Sequence, residues 1–147
     1  MKIAICLRRV PDTTAKIAIA ANGTSIDETG VKFVPNPYDE YALEAGIALR
    51  DAAGAGETVV IAFGGDAVQE TMRTALAMGA AKAVLVSDDA LAGTDALGTA
   101  KVLAKAIERA GAADLILTAT ESSDGYTGVV PEQIAELLSA MRLPVRR

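Results

Sequence analysis

The stretch Thr58-Val59-Val60-Ile61-Ala62-Phe63-Gly64-Gly65-Asp66 decides the fold. Its β-branched and apolar residues run on without polar alternation, which is the pattern of a strand covered on both faces, as in a parallel sheet. Two glycines break the run. Asp66-Ala67-Val68-Gln69 then resembles a capping box, with Asp in place of the usual Ser or Thr. The helix it opens is expected to end near Met78, where Gly79 is placed as a left-handed stop.

Outward from this unit, the same grammar repeats. Ile3-Ala4-Ile5-Cys6-Leu7, Ala83-Val84-Leu85-Val86 and Asp114-Leu115-Ile116-Leu117-Thr118 are further buried-strand runs. Asn36-Pro37 followed by Asp39-Glu40 predicts a helix start: a capping side chain, Pro at the first position, and solvated acids facing the dipole. That helix is expected to reach about Asp51. A third begins at Thr94 or Asp95 and closes at Gly111, with Leu103, Ile107 and Ala110 on one face. A fourth follows Gly128, with Ile134, Leu137, Leu138 and Met141 at spacings of three and four; Pro131 is tolerated because first-turn amides have no intrahelical partner. Strand and helix alternate throughout, so the chain predicts an α/β fold: a three-layer parallel sheet with helices on both faces and right-handed crossovers.

One stretch breaks the rhythm. Arg8 to Pro35, between the first strand and the first helix, is far longer than an ordinary βα loop of ~2–6 residues. Inside it, Lys16-Ile17-Ala18-Ile19 and Thr24-Ser25-Ile26 flank Ala21-Asn22-Gly23, and Asn-Gly is a strong hairpin signal. The expected organisation is one domain over residues 1–147, with a hairpin excursion over about 9–35. The excursion leaves the carboxyl end of strand one, where open α/β sheets place ligands.

Composition excludes several function classes. Net charge is −5, with no basic run before Arg146-Arg147, so a nucleic-acid binder is disfavoured. The chain has no His and one Cys. That removes the usual neutral-pH base, the commonest metal ligand and any internal disulfide, and it points to a reducing, cytoplasmic setting. No apolar run approaches the ~20 residues that span a bilayer. Cys6, within an apolar strand, reads as an inert core thiol. Arg8-Arg9 could clamp a phosphate or simply lie at the surface. No catalytic residue is expected.

No G-x-G-x-x-G or Walker sequence is present. The pair Gly64-Gly65 is a weak signal. Thr120-Glu121-Ser122-Ser123-Asp124-Gly125-Tyr126-Thr127-Gly128 is stronger, because it is rich in hydroxyls and delivers the chain into a helix amino terminus, where free amides suit a phosphate. The residues alone leave that reading level with a solvated loop in which Thr127 is a simple cap.

Four ordered segments resemble the electron-transfer flavoprotein beta (small) subunit, in its amino-terminal portion. They are Arg9-Val10-Pro11-Asp12 with Lys16-Ile17; Gly30-Val31-Lys32 leading to Asn36-Pro37-Tyr38-Asp39-Glu40-Tyr41-Ala42; Gln69 to Ala80; and Glu121 to Gly128 with Pro131. The resemblance implies an adenine-nucleotide-alpha-hydrolase-like strand order, 3-2-1-4, and a beta subunit paired with an alpha subunit that holds most of a shared FAD. It also implies electron transfer from dehydrogenases without catalytic residues in this chain, and a structural AMP, replaced by a second FAD in electron-bifurcating members. By motif, the AMP cradle comprises Cys6, Asn36, Phe63, Gly64, Asp124, Gly125, Tyr126, Thr127 and Gly128, while Thr13 falls near the FAD ring.

The chain departs from that pattern at Ala119, where the family loop opens with Gly. The family's beta subunits also continue beyond this length, so a fragment or a shortened relative is expected, with a further strand due near Leu143-Pro144-Val145. Two other readings are a free-standing adenine-nucleotide binder of the universal-stress type and a self-associating homo-oligomer covering its sheet edge.

Overall fold

The computed structural model describes residues 1–140. Four parallel strands form the main sheet: β1 (Lys2–Leu7), β6 (Glu57–Phe63), β7 (Lys82–Val86) and β8 (Leu115–Leu117), in the order β7-β6-β1-β8. In terms of the four predicted strands this is 3-2-1-4. Four helices connect and cover them: α1 (Pro37–Ala52), α2 (Val68–Ala77), α3 (Ala96–Arg109) and α4 (Val130–Leu137), with a short 3-10 turn at Asp89–Leu91 before α3.

The alternation of side chains along each strand builds two cores. Ile3, Ile5 and Leu7 of β1 face one layer with Leu43 of α1 and Met72 and Ala75 of α2. Ala4 and Cys6 face the other with Ala100, Leu103 and Ile107 of α3 and Ile134 of α4. Small residues on that second face let α3 lie close to the sheet, which suits a chain with so few aromatics.

Between β1 and α1 the excursion holds two antiparallel pairs: β2 (Arg9–Pro11) with β5 (Phe33–Pro35), and β3 (Ala18–Ile19) with β4 (Ile26–Asp27). The second is the hairpin expected around Asn22-Gly23. Asn22 Oδ1 accepts from the amides of Thr24 and Ser25, and Gly23 takes φ +69, an angle that glycine adopts without penalty. The β2–β5 ribbon at its base has no distinct sequence signal. Arg9 is spent there, its guanidinium stacked over the Phe33 ring.

Helix boundaries correct three expectations. The capping box at Asp66 does not form: α2 begins at Val68, and its early amides are met by the carbonyls of Gly65 and Asp66 instead. Asn36 makes no side-chain cap for α1, because its amide group is drawn elsewhere. Asp39 is buried rather than solvated. Asp95, by contrast, caps α3 through Gly98 N at 2.7 Å, and Gly79 (φ +116) and Gly111 (φ +96) follow their helices as expected. The helical position expected for Met141 and the strand expected near Leu143 lie outside the described residues. Among the described residues no helix is long and apolar enough to cross a membrane.

Candidate functional site

At their carboxyl ends β1 and β8 part company: β1 runs into the excursion, and β8 into the polar loop of residues 118–129. A crevice at such a divergence is where open α/β sheets bind ligands. A cleft open to solvent occupies it, with an enclosed volume of about 110 Å3. Its floor is apolar, formed by Phe63, Leu103, Val130 and Ile134; the buried Asn36 and Asp39 lie at one wall, and Thr99, Thr118, Thr120 to Ser122 and Thr127 give it a polar rim.

Three side chains fix the loop that forms this rim. Asn36, 1% exposed, donates from Nδ2 to Glu121 O and accepts at Oδ1 from Ser123 N, both at 3.1 Å. Asp39 accepts at Oδ2 from Arg8 N (2.8 Å) and at Oδ1 from Ala119 N (3.3 Å), bridging the ends of β1 and β8. Arg8 grips Asp124 in a two-pronged pair, Nη2 to Oδ2 at 2.8 Å and Nε to Oδ1 at 3.0 Å. Partial burial pushes the Asp124 carboxyl up, but hydrogen bonds from Arg8 and Ser122 together with the Arg8 charge hold it below its ordinary value. Tyr126 sits at φ +51, an uncommon angle for a residue with a side chain, and its phenol is hydrogen-bonded to Tyr38 of α1. The loop is therefore tied to β1 and to the first turn of α1. Among the described residues, the amides of Thr127, Gly128 and Val130, where the loop enters α4, donate to no protein acceptor.

Of the residues singled out by sequence, Cys6, Asn36, Phe63, Thr127 and Gly128 line the cleft together. Asp124, Gly125 and Tyr126 form the exposed outer turn of the loop. Gly64 follows Phe63 but packs on the α2 side, where a Cβ would lie 2.8 Å from Val68 Cγ2. Thr13 is exposed in the excursion and does not line the cleft. The Cys6 thiol is pushed up to about 12 by burial and by the nearby Asp39 charge, so it stays a protonated core thiol. Among the described residues no group of His, Cys, Asp and Glu could hold a metal.

Sequence reasoning missed Asp39. The available signal was its position three residues after Asn36, since side chains on a first helical turn point back towards the amino terminus, here to Arg8. Burial raises the Asp39 carboxyl from 3.8 to about 6, against the opposing hydrogen bonds of Arg8, Asn36 and Ala119. A folded-state value above the unfolded one gives a contribution fully present below the unfolded pKa and lost as pH rises through the folded one. Lowering pH from 7.5 to 5 should therefore raise the stability of the chain by on the order of 1 kcal/mol through this group. Urea titrations of the wild type and of Asp39→Asn at the two pH values check it, the variant being expected to lack the gain. An equal gain in both proteins would assign it to another group.

A family model for the electron transfer flavoprotein domain matches residues 23–143. The chain is 40% identical to Protein FixA of Azorhizobium caulinodans, over 97% of this chain and 52% of that protein. It is 38% identical to the caffeyl-CoA reductase-Etf complex subunit CarD of Acetobacterium woodii, over 99% of this chain and 54% of that protein. The electron transfer flavoprotein subunit beta of Thermoanaerobacterium thermosaccharolyticum is 41% identical, over 94% of this chain and 52% of that protein. The chain thus spans about half the length of the curated relatives it matches. Fold, excursion and sequence agree: this chain belongs to the electron-transfer flavoprotein family and is of its beta-subunit type.

Proposed function

We propose that this chain is the nucleotide-holding part of an electron-transfer flavoprotein beta subunit. It binds AMP as a structural ligand in the cleft between the ends of β1 and β8 and helps to enclose an FAD carried mostly by an alpha subunit. In this reading the assembly accepts electrons from dehydrogenases in the cytoplasm, and the chain itself performs no chemistry. The flavin supplies the redox step when bound, and the protein supplies position and electrostatics.

What carries the reading is the pairing of an apolar floor with uncommitted amides at one cleft. Phe63, Leu103 and Ile134 suit the flat faces of a purine, and the amides of Thr127, Gly128 and Val130 at the start of α4 suit a phosphate. The Ser123 hydroxyl, buried in the same loop without a hydrogen-bond partner among the described residues, is a further unspent polar group. Members of the family with a second FAD in this place would use the same cradle. The family match leaves no observation that favours the free-standing universal-stress alternative.

The test is to purify the chain, denature it and identify any released nucleotide by mass spectrometry and absorbance. AMP without flavin is the expected result. FAD would move the chain to the two-flavin type. An empty protein that also shows no thermal shift with AMP would overturn the reading. A ligand at a hundred times its Kd should stabilise by ~2.7 kcal/mol, a shift of several degrees.

A further inference from the structure

Asp39 is the buried charge of the cleft, and among the described residues no cation pairs with it; the Arg8 charge offsets its burial only in part. Its carboxylate is held by neutral donors, the amides of Arg8 and Ala119, with the Asn36 side chain beside them. From β1, the Arg8 guanidinium is turned to Asp124 and engaged by both oxygens of that carboxylate, while Cys6 faces the cleft as a neutral thiol. From the loop after β8, Glu121 adds a second carboxylate to the lining. Glu40 follows Asp39 on α1 but does not line the cleft, and β6, α3 and α4 contribute only uncharged side chains to it. Among the described residues, one guanidinium therefore answers three carboxylates, Asp39, Glu121 and Asp124.

An anion entering the cleft that Asp39 lines adds a further like charge in a partly buried setting, which disfavours the ionised form of a carboxyl already raised by desolvation. Protonation is the least disruptive relief. Each carboxyl oxygen has two lone-pair positions, so a protonated Asp39 can keep both amide bonds and present an O–H to the cleft. We propose that entry of a nucleotide phosphate into the cleft is coupled to uptake of one solvent proton by Asp39, whose carboxyl then faces the ligand as a hydrogen-bond donor. This deepens the AMP reading and rests on it. The site then holds its ligand more tightly as pH falls, and Asp39 acts as a positioning residue whose charge state follows occupancy.

AMP is the probe, titrated calorimetrically into the nucleotide-depleted chain between pH 6.5 and 8. In that range the phosphate monoester is already mostly dianionic, its second pKa being ~6. The Kd should weaken with rising pH by up to about tenfold per unit. At one pH, heats in two buffers of different ionisation enthalpy should report net proton uptake. Asp39→Asn should bind AMP with a flat profile and no uptake. A pH-independent Kd in the wild type overturns the proposal without needing the variant, and so does uptake that persists in Asp39→Asn. AMP binding at no pH, in protein shown to be folded, overturns the AMP reading itself, so the two failures are distinguishable.

Discussion

Asn36→Leu should lower stability by roughly 3 kcal/mol and abolish the thermal shift given by AMP. Asn36 is almost wholly buried, and it serves as both donor and acceptor for one loop, through Glu121 O and Ser123 N. Leucine is close to it in size but cannot replace either bond. Removing one partner of a buried hydrogen bond costs about 1–3 kcal/mol per polar group left unsatisfied, and here two backbone groups are stranded. Part of that is recovered if the loop swings out to water, and the recovery itself predicts the functional loss. A released loop no longer holds Thr127 and Gly128 against the cleft floor. Asn36→Asp is an informative comparison, because it keeps the acceptor for Ser123 N but sets a carboxylate against a carbonyl and beside Asp39. Urea midpoints and AMP thermal shifts measure both effects. An Asn36→Leu protein with an unchanged midpoint and an intact AMP shift would show that the clamp does not hold the loop.

The same residue shows where sequence reading stops. Asn before Pro, followed by two acids, is a sound helix-start signal, and α1 does begin at Pro37. Local grammar offered the side chain a capping role. The fold instead brings the loop beyond β8 within reach, 85 residues further along the chain, and tertiary hydrogen bonds outcompete the local one. Asp39 went unseen for the same reason: an acid in a first helical turn is ordinarily solvated beside the dipole, and only the closeness of the β1 and β8 ends buries it. The strands were legible because both faces of a parallel sheet are covered, which leaves uninterrupted apolar runs. The Asn22-Gly23 turn was legible because its backbone requirement is local. Which wall of the cleft each loop residue would meet was not, since that depends on the pairing of β1 with β8 and on the Arg8–Asp124 clamp.

Gly46→Val is expected to be the most damaging single change in α1, lowering stability by about 3 kcal/mol or more. Gly46 is buried at the point where α1 crosses the sheet. A Cβ built there would lie 2.7 Å from Ile5 Cδ1, 3.2 Å from Ile5 Cγ1 and 3.3 Å from Leu117 Cδ1. Ile5 has no exposed surface, lies opposite Val60 and Leu117 in the central strand, and so has no open space to move into. Two opposing effects act on the smaller change Gly46→Ala. Helix propensity favours alanine by up to ~1 kcal/mol, while overpacking a filled core costs ~1–3 kcal/mol. The clash should win narrowly. Valine adds two methyl groups and a stiff β-branch to the same contact, so the helix must lift from the sheet. The consequence reaches the cleft, because the first turn of α1 carries Asn36 at its threshold and Asp39 within it. Ala48→Val, at an exposed position on the same helix, separates intrinsic helix effects from packing and should change stability by less than ~1 kcal/mol. Denaturant titration of the three variants, with AMP shifts on those that fold, decides the matter. If Gly46→Ala is more stable than the wild type, α1 does not approach β1 this closely. If Gly46→Val folds and keeps its AMP shift, the position of α1 on the sheet does not control the cleft.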